Sequence, residues 1–483
     1  MPCDYRAQRG RQKGKSRLQI WADNEIAAFR GALSSIETMQ IGGTAHACLG
    51  NRVTAYGLKG LVGIGDTCWI HTGSPHNQPH DRSGRVRNAV LAEVVGFTEE
   101  GVTLLTYDPP TAITHGAPVR IDRRFSSIRP DSSWRGRVLD AIGDAADGGP
   151  PLNQGPLAYP VHATAPPAHT RRLMGERMRL GVRAMDLFTP CCRGQRLGIF
   201  AGSGVGKSSL MSMMARHCDA DVMVIGLIGE RGRELQEMLT HTLGPEGLER
   251  SVVVAATSDM SAMMRRRAAN ITLAIAEYFR DQGLEVLCLL DSVTRYAMAL
   301  REIYLAAGEP PTAKGYPPSV FGELPRLLER AGTGSSGGNI TGLFTVLVEG
   351  DDTNEPVSDT VRGILDGHVI MDRRIAEGGR YPAIDILRSV SRSAPGCYEP
   401  HERKLVQRAR SLMQAYSEMA ELIELGAYRS GSNPRVDEAI AIRPQLEALL
   451  AQDLDDATAT AGLDPFDELS HILNPSAGTG SGR

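Results

Sequence analysis

Apolar positions change their spacing several times along the chain, and each change predicts a different kind of structure. Between 21 and 39, Ile26, Phe29, Leu33 and Ile36 recur at helical intervals, predicting an amphipathic helix behind a polar start. From about 40 to 125 the apolar runs shorten and are punctuated by Gly; the runs 61–64, 67–70, 90–97 and 102–106 read as strands. Thr98-Glu-Glu-Gly101 supplies a hairpin turn, and the even spacing points to a small closed barrel. The segment 71–87, rich in His, Pro, Asn, Arg and Gly, reads as a long exposed loop, with His71, His76 and His80 as solvated residues.

Residues 126–194 carry many Pro and Gly and read as a linker. Beyond it, apolar runs at 222–228, 252–256, 286–290, 343–348 and 368–371 alternate with helical patterns such as 261–282, which Gly283 stops. Continuous apolar strands separated by helices predict a parallel sheet covered on both faces. Beyond 400 the pattern is helical: Leu405, Ala409, Leu412, Tyr416, Met419 and Ile423 repeat until Gly426, two short helices are expected within 435–450 on either side of Pro444, and a Gly/Ser-rich tail follows Asn474. The expected fold class is therefore α/β: an arm and helix over 1–39, a β-barrel over 40–125, a central domain over 126–399 and a helical domain with a disordered tail over 400–483.

With 483 residues and 41% hydrophobic content, the chain can bury more than one core. A net charge of −3 gives no reason to expect nucleic acid or an acidic membrane as the main partner. Arg6, Arg9, Arg11, Lys13, Lys15 and Arg17 precede no apolar run, which excludes an ordinary secretory signal; with no stretch of transmembrane length, the cytoplasm is the expected compartment. The eight cysteines show no metal-like spacing and read as reduced core residues.

The candidate chemistry centres on Gln195–Ser209. An apolar run from Arg196 to Phe200 leads into Ala201, Gly202, Ser203, Gly204, Val205, Gly206, Lys207, Ser208 and Ser209, the spacing of a loop whose amides converge on phosphate. Ala201 stands where the first Gly is usual, a position that need not adopt positive φ. A helix is expected to begin at Lys207, its N-terminal amides adding to the pull on phosphate; the Lys207 ammonium reaches the terminal phosphates and the Ser208 hydroxyl ligates Mg²⁺. Asp291 ends the apolar run 286–290 and is the expected second metal group. Glu230 follows the run 222–228 at the same sheet edge, as a base or an orienter of water; Arg231 beside it either pairs with phosphate or holds Glu230.

Several further segments carry a resemblance. Gly229-Glu-Arg-Gly-Arg-Glu234, Asp291-Ser-Val-Thr-Arg-Tyr-Ala297, Gly308-Glu-Pro-Pro311, Gly315-Tyr-Pro-Pro-Ser-Val-Phe321, Glu349-Gly-Asp-Asp352, Leu365-Asp-Gly-His368 and Tyr381-Pro-Ala-Ile-Asp385 resemble the ATPases of type III protein export, above all the flagellum-specific type. These are related to the α and β subunits of rotary ATP synthases. The resemblance is dense over 175–435 and implies a β-barrel, a RecA-like P-loop ATPase core and a C-terminal helical domain, assembled as a homo-oligomeric ring of six that hydrolyses ATP with Mg²⁺. By the same likeness Tyr381 packs on adenine, and Arg392, in Ser-Val-Ser-Arg, is the arginine finger that reaches a neighbour's γ-phosphate. The implied partners are a regulatory or stator protein at the N-terminus, a central stalk protein, the export gate, and export substrates with their chaperones, on the cytoplasmic side of the inner membrane. The same core also serves the virulence apparatus. A non-catalytic ring subunit is disfavoured by Glu230, and an RNA-dependent helicase by the scarcity of aromatics in the barrel beyond Tyr56, Trp69, Phe97 and Tyr107.

Overall fold

The computed structural model describes residues 42–72, 89–335, 337–348, 355–454 and 464–474. The expected arm and helix over 1–39, the loop histidines His76 and His80, the motif at 349–352 and the tail after Asn474 lie outside these residues. The first body is a closed antiparallel barrel of β1 (Gly42–Leu49), β2 (Arg52–Tyr56), β3 (Thr67–His71), β4 (Ala89–Phe97), β5 (Val102–Thr106) and β6 (Pro118–Ile121), in the order β1-β2-β5-β4-β3-β6. Alternating residues such as Val53, Ala55, Cys68, Ile70, Val94, Leu104 and Val119 fill its interior.

Three expectations for this region are corrected. The run 61–64 forms no strand: Gly60 and Gly65 take φ of 77° and 91°, which ends extended backbone on both sides, and Ile64 is 71% exposed. His71 is not a solvated loop residue but the last residue of β3, buried, and burial holds its imidazole below the usual histidine range. The stretch 126–194 is more than a linker, since Trp134 is buried within it and Val138–Leu139 joins the edge of the central sheet.

That sheet contains β7 (Val138–Leu139), β8 (Arg196–Ala201), β9 (Val222–Glu230), β10 (Ser251–Thr257), β11 (Glu285–Asp291), β12 (Asn339–Leu347), β13 (Gly367–Met371) and β14 (Ile384–Ser391), in the order β14-β13-β8-β12-β11-β9-β10-β7. All adjacent pairs along this order are parallel except the first, where β14 runs antiparallel to β13. Along β9, Val222, Val224 and Ile228 join one core cluster with α2 (Ala262–Asp281), whereas Met223 and Ile225 join the other with α1 (Lys207–His217). Both faces are thus covered, which explains the continuous apolar runs. A buried ion pair between Arg266 of α2 and Glu93 of β4 joins barrel to core.

The C-terminal helices are α4 (Pro400–Glu424), α5 (Pro434–Leu450) and α6 (Pro465–Leu473); α3 (Val293–Ala307) follows β11 in the core. Helix α4 opens with Pro400 at its first turn and a reciprocal cap between Glu399 and Glu402. The two short helices expected around Pro444 are one helix, α5, because Pro444 removes a single backbone donor while Val436, Ala439, Leu446 and Leu449 bury one continuous face. Cys192 and Cys397, 205 positions apart, form a disulfide, so these two are not the reduced core residues expected; spacing along the chain carries no signal for a pair that only folding brings together.

Candidate functional site

The ends of β8, β9 and β11 lie at one edge of the sheet because the strands are parallel and in register: Ala201 is level with Leu347 of β12, and Leu227 with Asp291. The loop that leaves β8 turns through Gly206, at φ 90°, directly into α1. A side chain there is strained by that dihedral and crowded by the Tyr381 ring, whose Cδ1 and Cε1 would stand 3.1 Å from an added Cβ. The first-turn amides of α1 consequently face the loop, the arrangement expected of an anion cradle. Ala201 and Val205 are buried, Gly202 is buried at the strand end, and Ser203, Gly204 and Ser208 are exposed; Ser209 is half-buried.

Lys207 reaches from the start of α1 across to the other strand ends. Its Nζ is 2.5 Å from Asp291 Oδ1 and 3.8 Å from Glu230 Oε1. Asp291 is buried and also accepts a hydrogen bond from Thr345 Oγ1 on β12 at 2.6 Å. Glu230 Oε1 is buried without a hydrogen-bond partner. Burial raises the Glu230 carboxyl to about 7, aided by the hydrogen bond it shares with Glu234 and opposed by the Lys207 ammonium. Glu234 moves the other way, held below its usual range chiefly by that hydrogen bond, so the proton of the pair resides on Glu230. Thr345 and Glu234 were missed as site residues; Glu234 stands in the quoted Gly229–Glu234 motif, whereas nothing near Thr345 in sequence marks it.

Among the described residues no group of three or more His, Cys, Asp or Glu forms a ready-made metal cage. The donors at this edge, one carboxylate at Asp291 and one hydroxyl at Ser208, fit Mg²⁺, which keeps waters and takes its other ligands from substrate phosphates.

Tyr381 is 41% exposed beside the cradle. Its carbonyl accepts from the backbone N–H of Gln452, a buried residue beyond α5 whose side chain also accepts from Arg183 N–H at 3.0 Å and donates to the Gly181 carbonyl at 2.9 Å. The C-terminal domain therefore holds the segment that presents Tyr381, a link absent from any local pattern. Arg373 Nη2 donates to the Ser203 carbonyl at 3.1 Å.

Arg392 does not join this cluster. Since β14 is antiparallel, Ile384 is level with Met371 at the cradle edge and Ser391 with Gly367 at the other, so Arg392 follows at the opposite end of the sheet. It is exposed, and its guanidinium has no ion-pair partner among the described residues. The Arg231 side chain is 82% exposed and pairs loosely with Glu234 at 4.0 Å. Arg295 is the inner arginine: half-buried, its Cβ would be 2.9 Å from a side chain at Gly229, and its Nε lacks a partner.

A model of the ATP synthase alpha/beta family nucleotide-binding domain matches residues 181–391, and one of the T3SS EscN ATPase C-terminal domain matches 398–462. The chain is 57% identical over 388 residues to the flagellum-specific ATP synthase of Caulobacter vibrioides, covering 79% of this chain and 87% of that one. It is 48% identical to the protein of the same name from Treponema pallidum, covering 88% and 92%. The assembled ATPase EscN of the enteropathogenic E. coli type III secretion system superposes with a TM-score of 0.80 at 36% identity, over 89% of this chain and 100% of that chain. Identity of this order across both the nucleotide-binding core and the helical C-terminus makes the chain a member of the flagellum-specific ATP synthase family, and an ATPase.

Proposed function

We propose that the protein hydrolyses ATP with Mg²⁺ at the Lys207 edge, in a homo-oligomeric ring, to energise export of flagellar proteins. The observation that carries this reading is the convergence of Lys207, Asp291 and Glu230 from separate strand ends onto one phosphate-sized loop. Lys207 and the α1 amides bind the phosphates, and Tyr381 offers a flat face to adenine. With the nucleotide in place the ammonium exchanges Asp291 for a phosphate oxygen, and Asp291 and Ser208 are the residues that would hold Mg²⁺. Mg²⁺ would neutralise phosphate charge and fix its orientation. Glu230, once deprotonated, takes the proton of the attacking water. Arg373, bonded to the Ser203 carbonyl, keeps the cradle in shape before substrate arrives.

The missing positive charge for the transition state is supplied by Arg392 of an adjacent subunit, a role supported by its exposure at the far end of the sheet. The assembled EscN ATPase, solved also in complex with its central stalk EscO, supports an assembly around a stalk here as well, and a place at the cytoplasmic face of the export apparatus belongs to the same proposal. A regulatory partner for 1–39 belongs to the same proposal, as do export substrates, their chaperones and the gate. A role in the virulence apparatus is second: EscN shares the fold at 36% identity, below the 57% of a flagellar relative. Lys207→Ala tests the whole reading. Turnover falls to background while the thermal melt stays unchanged; a well-folded variant with near-normal ATPase activity overturns it.

A further inference from the structure

The disulfide lies beside the exposed arginine. Cys192 ends the short strand Cys191–Cys192, three positions before Gln195 at the entry to β8, and Cys397 ends a single helical turn, Ala394–Cys397, five positions after Arg392. Their Cα atoms are 6.4 Å apart. The other foot of the same segment rests on the same stretch of chain: Ser391 Oγ donates to the Pro190 carbonyl at 2.7 Å and accepts from Gln195 Nε2 at 3.0 Å. Arg392 N–H donates to the Asp366 carbonyl at 2.9 Å, and Asp366 in turn holds Arg196. Residues 391–397 therefore form an arch with one foot hydrogen-bonded to 190–195 and the other bonded to it through sulfur. Arg392, Pro395 and Gly396 are exposed on the arch. The other described cysteines, Cys48, Cys68, Cys191, Cys218 and Cys288, form no disulfide.

We propose that Cys192 and Cys397 are a reversible oxidation site that sets how firmly the arch presents Arg392 to the next subunit, with a low-molecular-weight disulfide as co-reactant. The exchange balances as follows. One protein thiolate attacks the small disulfide, forming a mixed disulfide and releasing one small thiolate. The second protein thiolate then attacks the protein-side sulfur of that mixed disulfide and releases the other small thiolate, so two protein thiols are oxidised and one small disulfide is reduced to two thiols. Reduction by excess small thiol reverses both steps. A finger stabilises charge best when it is already in place as that charge develops. Cutting the sulfur foot leaves 393–397 to the Ser393 hydroxyl on Met174 and Arg403 on the Pro395 carbonyl, the next anchor being Tyr398, whose hydroxyl donates to the Leu187 carbonyl. The proposal rests on Arg392 acting in trans.

The test equilibrates full-length protein with reduced and oxidised glutathione in varied ratio, maps the Cys192–Cys397 peptide pair by mass spectrometry, and measures turnover at ring-forming concentration. The linked pair is expected to rise with the oxidised fraction, turnover to rise several-fold with it, and amide exchange over 393–399 to slow, while ATP affinity stays constant. Cys192→Ser and Cys397→Ala are expected to turn over like reduced wild type at every ratio. Absence of the linked pair at all ratios overturns the proposal, and so does equal turnover of the oxidised and reduced wild type, a comparison that needs no variant to fold. Arg392→Ala runs in parallel: if it is slow while the redox forms are equal, only the clamp fails; if it is as fast as wild type, the trans reading fails.

Discussion

The two ends of the central sheet are built on opposite principles. At the carboxyl end of β8, β9 and β11, ionisable groups are largely buried and partnered: Lys207 lies between the buried Asp291 and the half-buried Glu230, with Thr345 bonded to Asp291 and the exposed Glu234 to Glu230. At the other end Arg392 stands exposed on an arch. Burial at the first end makes charge expensive and therefore chemically useful, lifting Glu230 toward neutrality. Exposure at the second leaves a cation with no ion-pair partner among the described residues. The contrast teaches that one end of the sheet tunes its charges internally, while the other presents a charge that the proposed interface would complete.

The sharpest way to break the contrast is Arg392→Ala. If the exposed end acts across the boundary, turnover of assembled protein falls by roughly 10³–10⁵, the range for arginine fingers, with nucleotide affinity little changed. Mixed with Lys207→Ala, it recovers part of the activity, since an interface can then join an intact cradle to an intact finger; native mass spectrometry of the mixture verifies that hetero-rings form. No recovery in verified hetero-rings would place Arg392 in its own subunit's chemistry or require every site to be intact, and titrating wild type with each variant separates the two.

At the buried end, Glu230→Gln retains shape but not basicity, so ATP still binds while hydrolysis drops by roughly 10²–10⁴. The pH profile gives an independent check. Because burial raises this carboxyl to about 7 and the base acts deprotonated, kcat/KM of wild type should fall as pH drops through 7, whereas Glu230→Gln should be flat across that window. A smaller effect is expected from Thr345→Val, which removes the hydroxyl that orients Asp291: the Mg²⁺ concentration for half-maximal turnover should rise about 10- to 100-fold, at little cost in kcat with saturating metal.

The smallest effect lies between the two ends. Gln452→Ala strips the partners from the Arg183 N–H and the Gly181 carbonyl and should cost about 1–3 kcal/mol in the thermal or denaturant transition. Its effect on ATP should appear in KM rather than kcat if the C-terminal domain's part is to hold the Tyr381 segment.

How much of this was legible follows from distance along the chain. The cradle, Asp291 and Glu230 could be read because each is announced by the strand that delivers it, an apolar run ending in a polar residue. Thr345 could not, since it lies inside β12 and only the neighbouring strand makes it a partner of Asp291. Strands β1, β2 and β6 carry too few apolar residues to stand out, while 61–64 has the residues but flanking glycines that bend it away. Gln452 on Tyr381 and Cys192 on Cys397 are contacts between remote segments, which no local pattern encodes.

The reversed direction of β14 bears on how subunits count. Because β14 runs backwards, Arg392 and Lys207 lie at opposite ends of the sheet, so in the proposed ring, with Arg392 serving a neighbour, contacts are head-to-tail and the circle has a direction. A lesion at Lys207 silences the site its own subunit carries, whereas a lesion at Arg392 silences the site next door. One faulty copy carrying both lesions removes two consecutive sites from the circle, and two faulty copies carrying one each, seated in the right order, remove only one.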